Sequence, residues 1–375
     1  MSAPTPLNRF KKAMQIVYGP FESLNPDQLA HWHPPTNSGG HRGRYLWTDA
    51  FGVLNFLTLY KETSDAKYMI LASGLINAVH NVLGSTRDGK SRLPGATHEN
   101  PWGGGLRIGK MDEGGPDGDG QYHHYLTIWM FALNRMSVAS GQATYNDCAI
   151  AIANAVHPRF FDDIKSPTPR MYWKIAMDMS RPLVASEGNA DALDGYVVFS
   201  LLAAVAKDLQ CLAPEIADYQ RVIDRKGQHV VSHDVLDLGM SLWLAHWGTP
   251  GDTSAHQLGT RCTELFDELL STGSLEGNFH RRLGFRDFGA MLGLRCYRSV
   301  ADQSQYESRI RQLLERWEHW MDSQPEDLQA INRVMFAAAL IPGAFAKGHL
   351  GSEPRAEMDS GATVSTGFPR IPKVR

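Results

Sequence analysis

Carboxylates, arginines and histidines gather where long apolar runs begin. Asp191 and Asp194 are three residues apart, as are Asp234 and Asp237. On a helix, each pair shares one face. Glu187 precedes the first pair and His233 the second. Arg44, Trp47 and Asp49 open another run, and Arg281, Arg282, Arg286 and Asp287 open one more. Asp119, Gln121, Tyr122, His123 and His124 follow almost without a break. A lone Asp at such a point is commonly a helix cap or a first-turn carboxylate favoured by the helix dipole. That account is weaker for a whole set. Paired carboxylates with His and Arg around a shared mouth suit general acid–base chemistry, in which one acid is held protonated and its neighbour ionised. The expected acid–base residues are Asp49, Glu99, Asp119, Glu187, Asp191, Asp234 and Asp287. The expected binding residues are Arg44, Trp47, His98, Trp102, Gln121, Tyr122, His124, His233 and Arg286.

These side chains need a frame, and a repeated phrase supplies it. Arg44-Tyr45-Leu46-Trp47-Thr48-Asp49-Ala50-Phe51-Gly52 is echoed by Arg282-Leu283-Gly284-Phe285-Arg286-Asp287-Phe288-Gly289. A weaker copy runs from His233 to Met240. Repetition over tens of residues signals an array of similar units. Apolar residues recur at helical spacing along nearly the whole chain. Amphipathic helices are expected over about 6–18, 63–83, 141–157, 213–225, 254–271 and 304–322. They alternate with helices apolar on all sides over about 44–60, 121–137, 190–207, 233–247, 283–298 and 328–346. A helix apolar all round must be buried all round. Gly52, Gly239, Gly289 and Gly293 would weaken an exposed helix and instead suit a crowded inner ring. Twelve alternating helices predict an all-α toroid of six hairpins, an (α/α)6 barrel over 1–347, with a polar tail over 348–375. Pro342 must end or kink the last inner helix.

The connections are uneven. Segments 84–120 and 158–189 are long and lead from outer to inner helices, so both emerge at the end where the inner helices start. Long loops in a compact domain are usually functional. The first is dense in glycine and carries Thr97-His98-Glu99-Asn100-Pro101-Trp102. It lacks the spacing of a phosphate-binding loop. The formal charge of −3 gives no reason to expect nucleic acid as a partner. No stretch has membrane length and no secretory signal opens the chain, so a cytoplasmic protein is expected. The four cysteines lie far apart in helical stretches and read as reduced. Adjacent His123 and His124 point about 100° apart on a helix, and His31-Trp32-His33 lacks partners at ligand spacing. Neither predicts a metal, and no cofactor is indicated. Trp32, Trp47, Trp102, Tyr122, Trp173, Phe279 and Phe285 fall at the decorated end, whereas Trp129, Trp243 and Trp317 are expected in the core.

The helical alternation and the aromatic–Asp phrases resemble the six-hairpin glycosidase-like superfamily. Trp47-Thr48-Asp49-Ala50 is similar to the helix openings of unsaturated uronyl hydrolases, without their second adjacent carboxylate. The resemblance implies a carbohydrate-active enzyme, first of all a glycoside hydrolase acting on a small oligosaccharide or glycoconjugate. Trp47 and Trp102 would stack on a sugar, while Arg44, Arg286, His98 and His124 would bind hydroxyls or a carboxylate. The superfamily also includes epimerases and lyases, because fold does not fix function. An epimerase or isomerase would use His98, His124 and His233 as acid and base. A cyclase would need an apolar cavity, and a binding toroid would have no turnover.

Overall fold

The computed structural model describes residues 4–36, 39–115, 117–227, 232–249, 251–273, 275, 277, 279–297, 303–353 and 368–371. Inner helices are α3 (Leu46–Thr63), α5 (His123–Ser140), α7 (Asp191–Val205), α9 (Val235–Ala245), α11 (Gly284–Cys296) and α13 (Glu326–Leu340). Outer helices are α1 (Pro6–Tyr18), α4 (Lys67–Leu83), α6 (Ala143–Val156), α8 (Ala213–Lys226), α10 (Thr253–Ser271) and α12 (Gln303–Trp320). A short α2 (Pro26–Ala30) precedes the first inner helix. Each inner helix packs on the next, and α13 packs on both α3 and α1, which closes the ring. The N-terminal helix is thus the outer member of the last hairpin. The chain has the six-hairpin (α/α)6 fold.

Local chemistry accounts for the elements. Thr5 accepts the Asn8 amide at 3.3 Å to start α1. Asp234 caps α9 by accepting the amides of Leu236 and Asp237, and Asp252 caps α10 likewise. In α12, Ile310, Leu313, Leu314 and Trp317 are buried. All residues of α3 from Leu46 to Leu59 are buried, so this helix has no water-facing side. The last inner helix stops at Leu340, before Pro342, because proline cannot supply the next amide. All four cysteines are free, and no described helix is long and apolar enough to cross a membrane.

Helices α9 and α11 touch backbone to backbone. A Cβ on Gly293 would overlap the Gly239 carbonyl oxygen, and one on Gly239 would overlap the Gly289 carbonyl. Gly293→Ala must therefore push the two helices apart. The expected cost is about 1–3 kcal/mol, read as a lower denaturation midpoint with little change in slope.

Beyond the helices, β1 (Gln121–Tyr122) pairs antiparallel with β2 (Lys174–Ile175). The sequence showed no strand pair here, because the partners belong to two different long loops and carry no hairpin signal. The pairing ties the two loops together over the start of the inner helices. At the opposite end, Glu353 receives the buried Arg135 of α5 at 2.7 Å. Phe368 is buried, and its amide donates to Asp252 at 2.6 Å. The rest of the expected tail, 354–367 and 372–375, lies outside the described residues.

Candidate functional site

A cavity of about 290 Å³ opens where α3, α5, α7 and α9 begin. Asp191 and Asp194 of α7, Asp237 of α9 and His124 of α5 share its lining with Trp47 and Trp173. Trp243 and Met240 also reach it from lower turns of α9. Helical spacing explains the first pair: Asp191 and Asp194 stand one turn apart on the same face of α7.

His124 Nδ1 is 3.5 Å from Asp191 Oδ1, whereas Asp191 Oδ2 is buried without a hydrogen-bond partner. Burial works to raise the Asp191 pKa, but the His124 bond and charge, with the charges of His123 and Lys226, outweigh it and hold the carboxyl below its ordinary value. Asp194 moves the other way. Burial raises its pKa well above the carboxylate range, and the nearby charges of Asp191 and Asp237 add to the rise. Asp237 Oδ2 accepts from Asn189 at 3.0 Å. The cavity thus holds one carboxyl whose pKa is raised beside one whose pKa is lowered, the arrangement that separates acid from base. Gly188 is required for it, because a Cβ there would overlap the Asp191 carboxyl.

The aromatic walls are held in place. Trp47 donates Nε1 to Met335 Sδ at 3.3 Å and stacks on Phe51. Trp173 donates to Ser186 Oγ at 2.9 Å and meets Tyr122 edge-on. Glu187 also lines the cavity, where it accepts the Met171 amide at 3.0 Å and pairs with Arg225.

The other candidates stand elsewhere. Asp49 is fully buried behind α3, bonded to Tyr18 at 3.1 Å and to Arg44 at 3.3 Å; burial pushes its carboxyl up to about 6. Arg44 also donates to Pro35 O at 2.5 Å. Asp119 anchors the glycine-rich loop, bonded to Arg87, Arg107 and the amides of Gly109, Lys110 and Gly120. Gln121 bonds to the backbone of Gly104, Leu106 and Met177. Tyr122 donates to Gly118 O at 3.2 Å. Asp234 is occupied by its cap and by Arg286. Asp287 faces outward to Arg282 and Trp317, and burial raises its pKa. Trp102 packs on His80, while His98, Glu99 and His233 are exposed outside the cavity lining. His123 turns away between the rings, where its Nε2 meets the Tyr219 hydroxyl at 2.8 Å.

Reading by sequence alone passed over Asp194 and Asp237 as candidates, although it noted their spacing. In α9, the first carboxylate of the pair folds back onto its own amides as a cap. The second is then the one free to face the cavity.

Among the described residues, no group of three or more His, Cys, Asp or Glu could hold a metal. No protein-family model matches the chain, and no curated protein matches it. Solved structures do. A D-mannose isomerase aligns with a TM-score of 0.55 at 12% identity, over 91% of this chain and 99% of its own. A family 76 glycoside hydrolase from a bovine Bacteroides thetaiotaomicron strain gives 0.57 at 12% identity, over 90% and 76%. Cellobiose 2-epimerase from Bacillus thermoamylovorans B4167 gives 0.52 at 12%, over 88% and 98%. At this identity, the likeness is one of fold.

Proposed function

We propose that the protein is a carbohydrate-active enzyme that hydrolyses a glycosidic bond of a small sugar substrate. The observation that carries the reading is the juxtaposition of Asp194, Asp191 and Asp237 in one aromatic-walled cavity at the barrel mouth. Asp194 gives its proton to the glycosidic oxygen. Asp237 meets the positive charge developing at the sugar carbon, directly or through a water molecule. The aligned structures, a glycoside hydrolase and two sugar-isomerising enzymes, support the sugar class.

The Trp47 and Trp173 faces supply the apolar surface on which sugar rings pack. For Trp173→Ala we expect KM to rise about tenfold, equivalent to about 1.4 kcal/mol of binding, with kcat nearly unchanged. Steady-state kinetics checks this, and a fall in kcat with constant KM would contradict it.

One observation favours a second reading. The His124–Asp191 pair lies in the cavity, and a His oriented by a carboxylate can abstract a proton beside a carbonyl. His98 and His233 do not join it there, which weighs against a two-histidine mechanism. Nuclear magnetic resonance of neutral disaccharides and free hexoses incubated with the protein in deuterated water separates the two readings. Loss of the glycosidic linkage supports hydrolysis. Exchange of a carbon-bound proton with the linkage intact supports isomerisation and overturns the hydrolase.

A further inference from the structure

We propose that the sugar ring held in this cavity carries a free, protonated amine, so that the preferred substrates are hexosamines or their glycosides. The inference rests on the sugar reading above and names the class of sugar.

Its basis is the hydrogen-bond inventory of the cavity wall. Nearly every side-chain donor in the lining is already engaged within the protein. Trp47 donates to Met335, Trp173 to Ser186, Trp243 to Phe345 O, Thr127 to His124 O and Asn189 to Asp237. The exceptions are His124, whose Nδ1 faces Asp191, and the acid proton of Asp194, which the reading above commits to the glycosidic oxygen. The nearby cations are engaged as well: Lys226 Nζ holds Asn189 O at 2.9 Å and also Gly188 O, and Arg225 holds Glu187. Among the described residues, no Arg or Lys lines the cavity.

The acceptors are the reverse. Asp194, the proton donor of the reading above, is not one of them; they are the carboxylates of Asp191 and Asp237, and Asp237 accepts from Asn189 through one oxygen. Asp191 is 5% exposed with Oδ2 unpartnered. A buried acceptor such as Asp191 Oδ2 costs free energy until a donor reaches it. A ligand that completes the wall must bring donors, and an ammonium brings three together with a positive charge. Charge-assisted bonds to carboxylates are roughly twice as strong as neutral ones. The carboxylate of a uronate, like a phosphate group, brings only acceptors and a repelling charge in place of the ammonium. Acetylation of the amine removes the charge that the carboxylates would recognise.

The test is calorimetric titration of the full chain at slightly acidic pH. The ligands are glucosamine, mannosamine and galactosamine, their parent hexoses, their N-acetyl derivatives and the matching uronic acids. At least one free hexosamine should bind about tenfold or more tightly than its parent hexose. Its acetylated form should lose that advantage, and the uronic acids should bind more weakly than the hexoses. Repeating the pair in mildly alkaline buffer, where the amine is neutral, should bring the ratio toward one in the unaltered protein. Asp191→Asn should do the same at acidic pH, with circular dichroism confirming the fold; if that variant does not fold, the alkaline arm decides. Equal binding of amine and parent sugar, or tighter binding of the uronate or N-acetyl form, overturns the inference and leaves the sugar site standing. No binding by any of these sugars overturns both.

Discussion

Asp194→Asn should lower kcat roughly 10²–10⁴-fold, the usual contribution of a general acid, and should also raise the melting temperature. The two effects have one origin. In the unfolded chain, Asp194 titrates near the ordinary carboxylate value of about 4. In the folded chain, burial and then the charges of Asp191 and Asp237 raise its pKa well above that. The folded state therefore binds more protons than the unfolded state in the window between the two values. Stability falls as pH rises through that window. Asn keeps the shape and removes the ionisation, so the variant is more stable at neutral pH and its advantage disappears below about pH 4. Activity at neutral pH and melting curves at both pH values test this together. A variant that melts lower at neutral pH, or that keeps its full rate, would remove Asp194 from the acid role.

The ring was legible because its physics is periodic. Helices apolar all round alternate with helices charged on one side, and only a double ring buries every face of the first kind. Gly239 of α9 and Gly293 of α11 agree with it, since each sits where the neighbouring backbone leaves no room for a side chain. The site was less legible, because residue type and position near a helix start do not tell which way a carboxyl turns. Asp49, Asp191, Asp234 and Asp287 all occupy early turns or caps. Asp191 faces the cavity, Asp49 and Asp287 face the space between the rings, and Asp234 folds back on its own helix. Two features separate them only in three dimensions: which outer helix offers a partner, such as Tyr18 to Asp49 or Trp317 to Asp287, and where the loops cross. Trp173 reached the cavity through the β1–β2 pairing, a contact between segments some fifty residues apart that no local pattern announces.

Asp119→Ala should destabilise the protein by about 3–5 kcal/mol, the cost of leaving a buried charge without its partner. Asp119 Oδ2 takes Arg87 at 2.7 Å and Arg107 at 2.9 Å. Oδ1 takes the amide of Gly109 at 2.9 Å, where the chain turns through a positive φ of 84°. Arg107 is completely buried, and its remaining hydrogen bonds go to the carbonyls of Ser85 and Val82, which are neutral. One carboxylate thus fixes both ends of the glycine-rich loop and compensates an arginine that water cannot reach. The loop feeds directly into β1 and then into His124, so its loosening should reach the cavity. We expect the variant to melt several degrees lower and to lose amide-exchange protection first over 105–122, with activity falling mainly because His124 and Trp173 are less well held. Asp119→Asn keeps the shape but not the charge, and should be intermediate in melting temperature. The competing account, in which Asp119 acts directly on substrate, makes the opposite forecast: an unchanged melting curve with turnover abolished. That result would return the residue to the catalytic set in which its sequence position first put it.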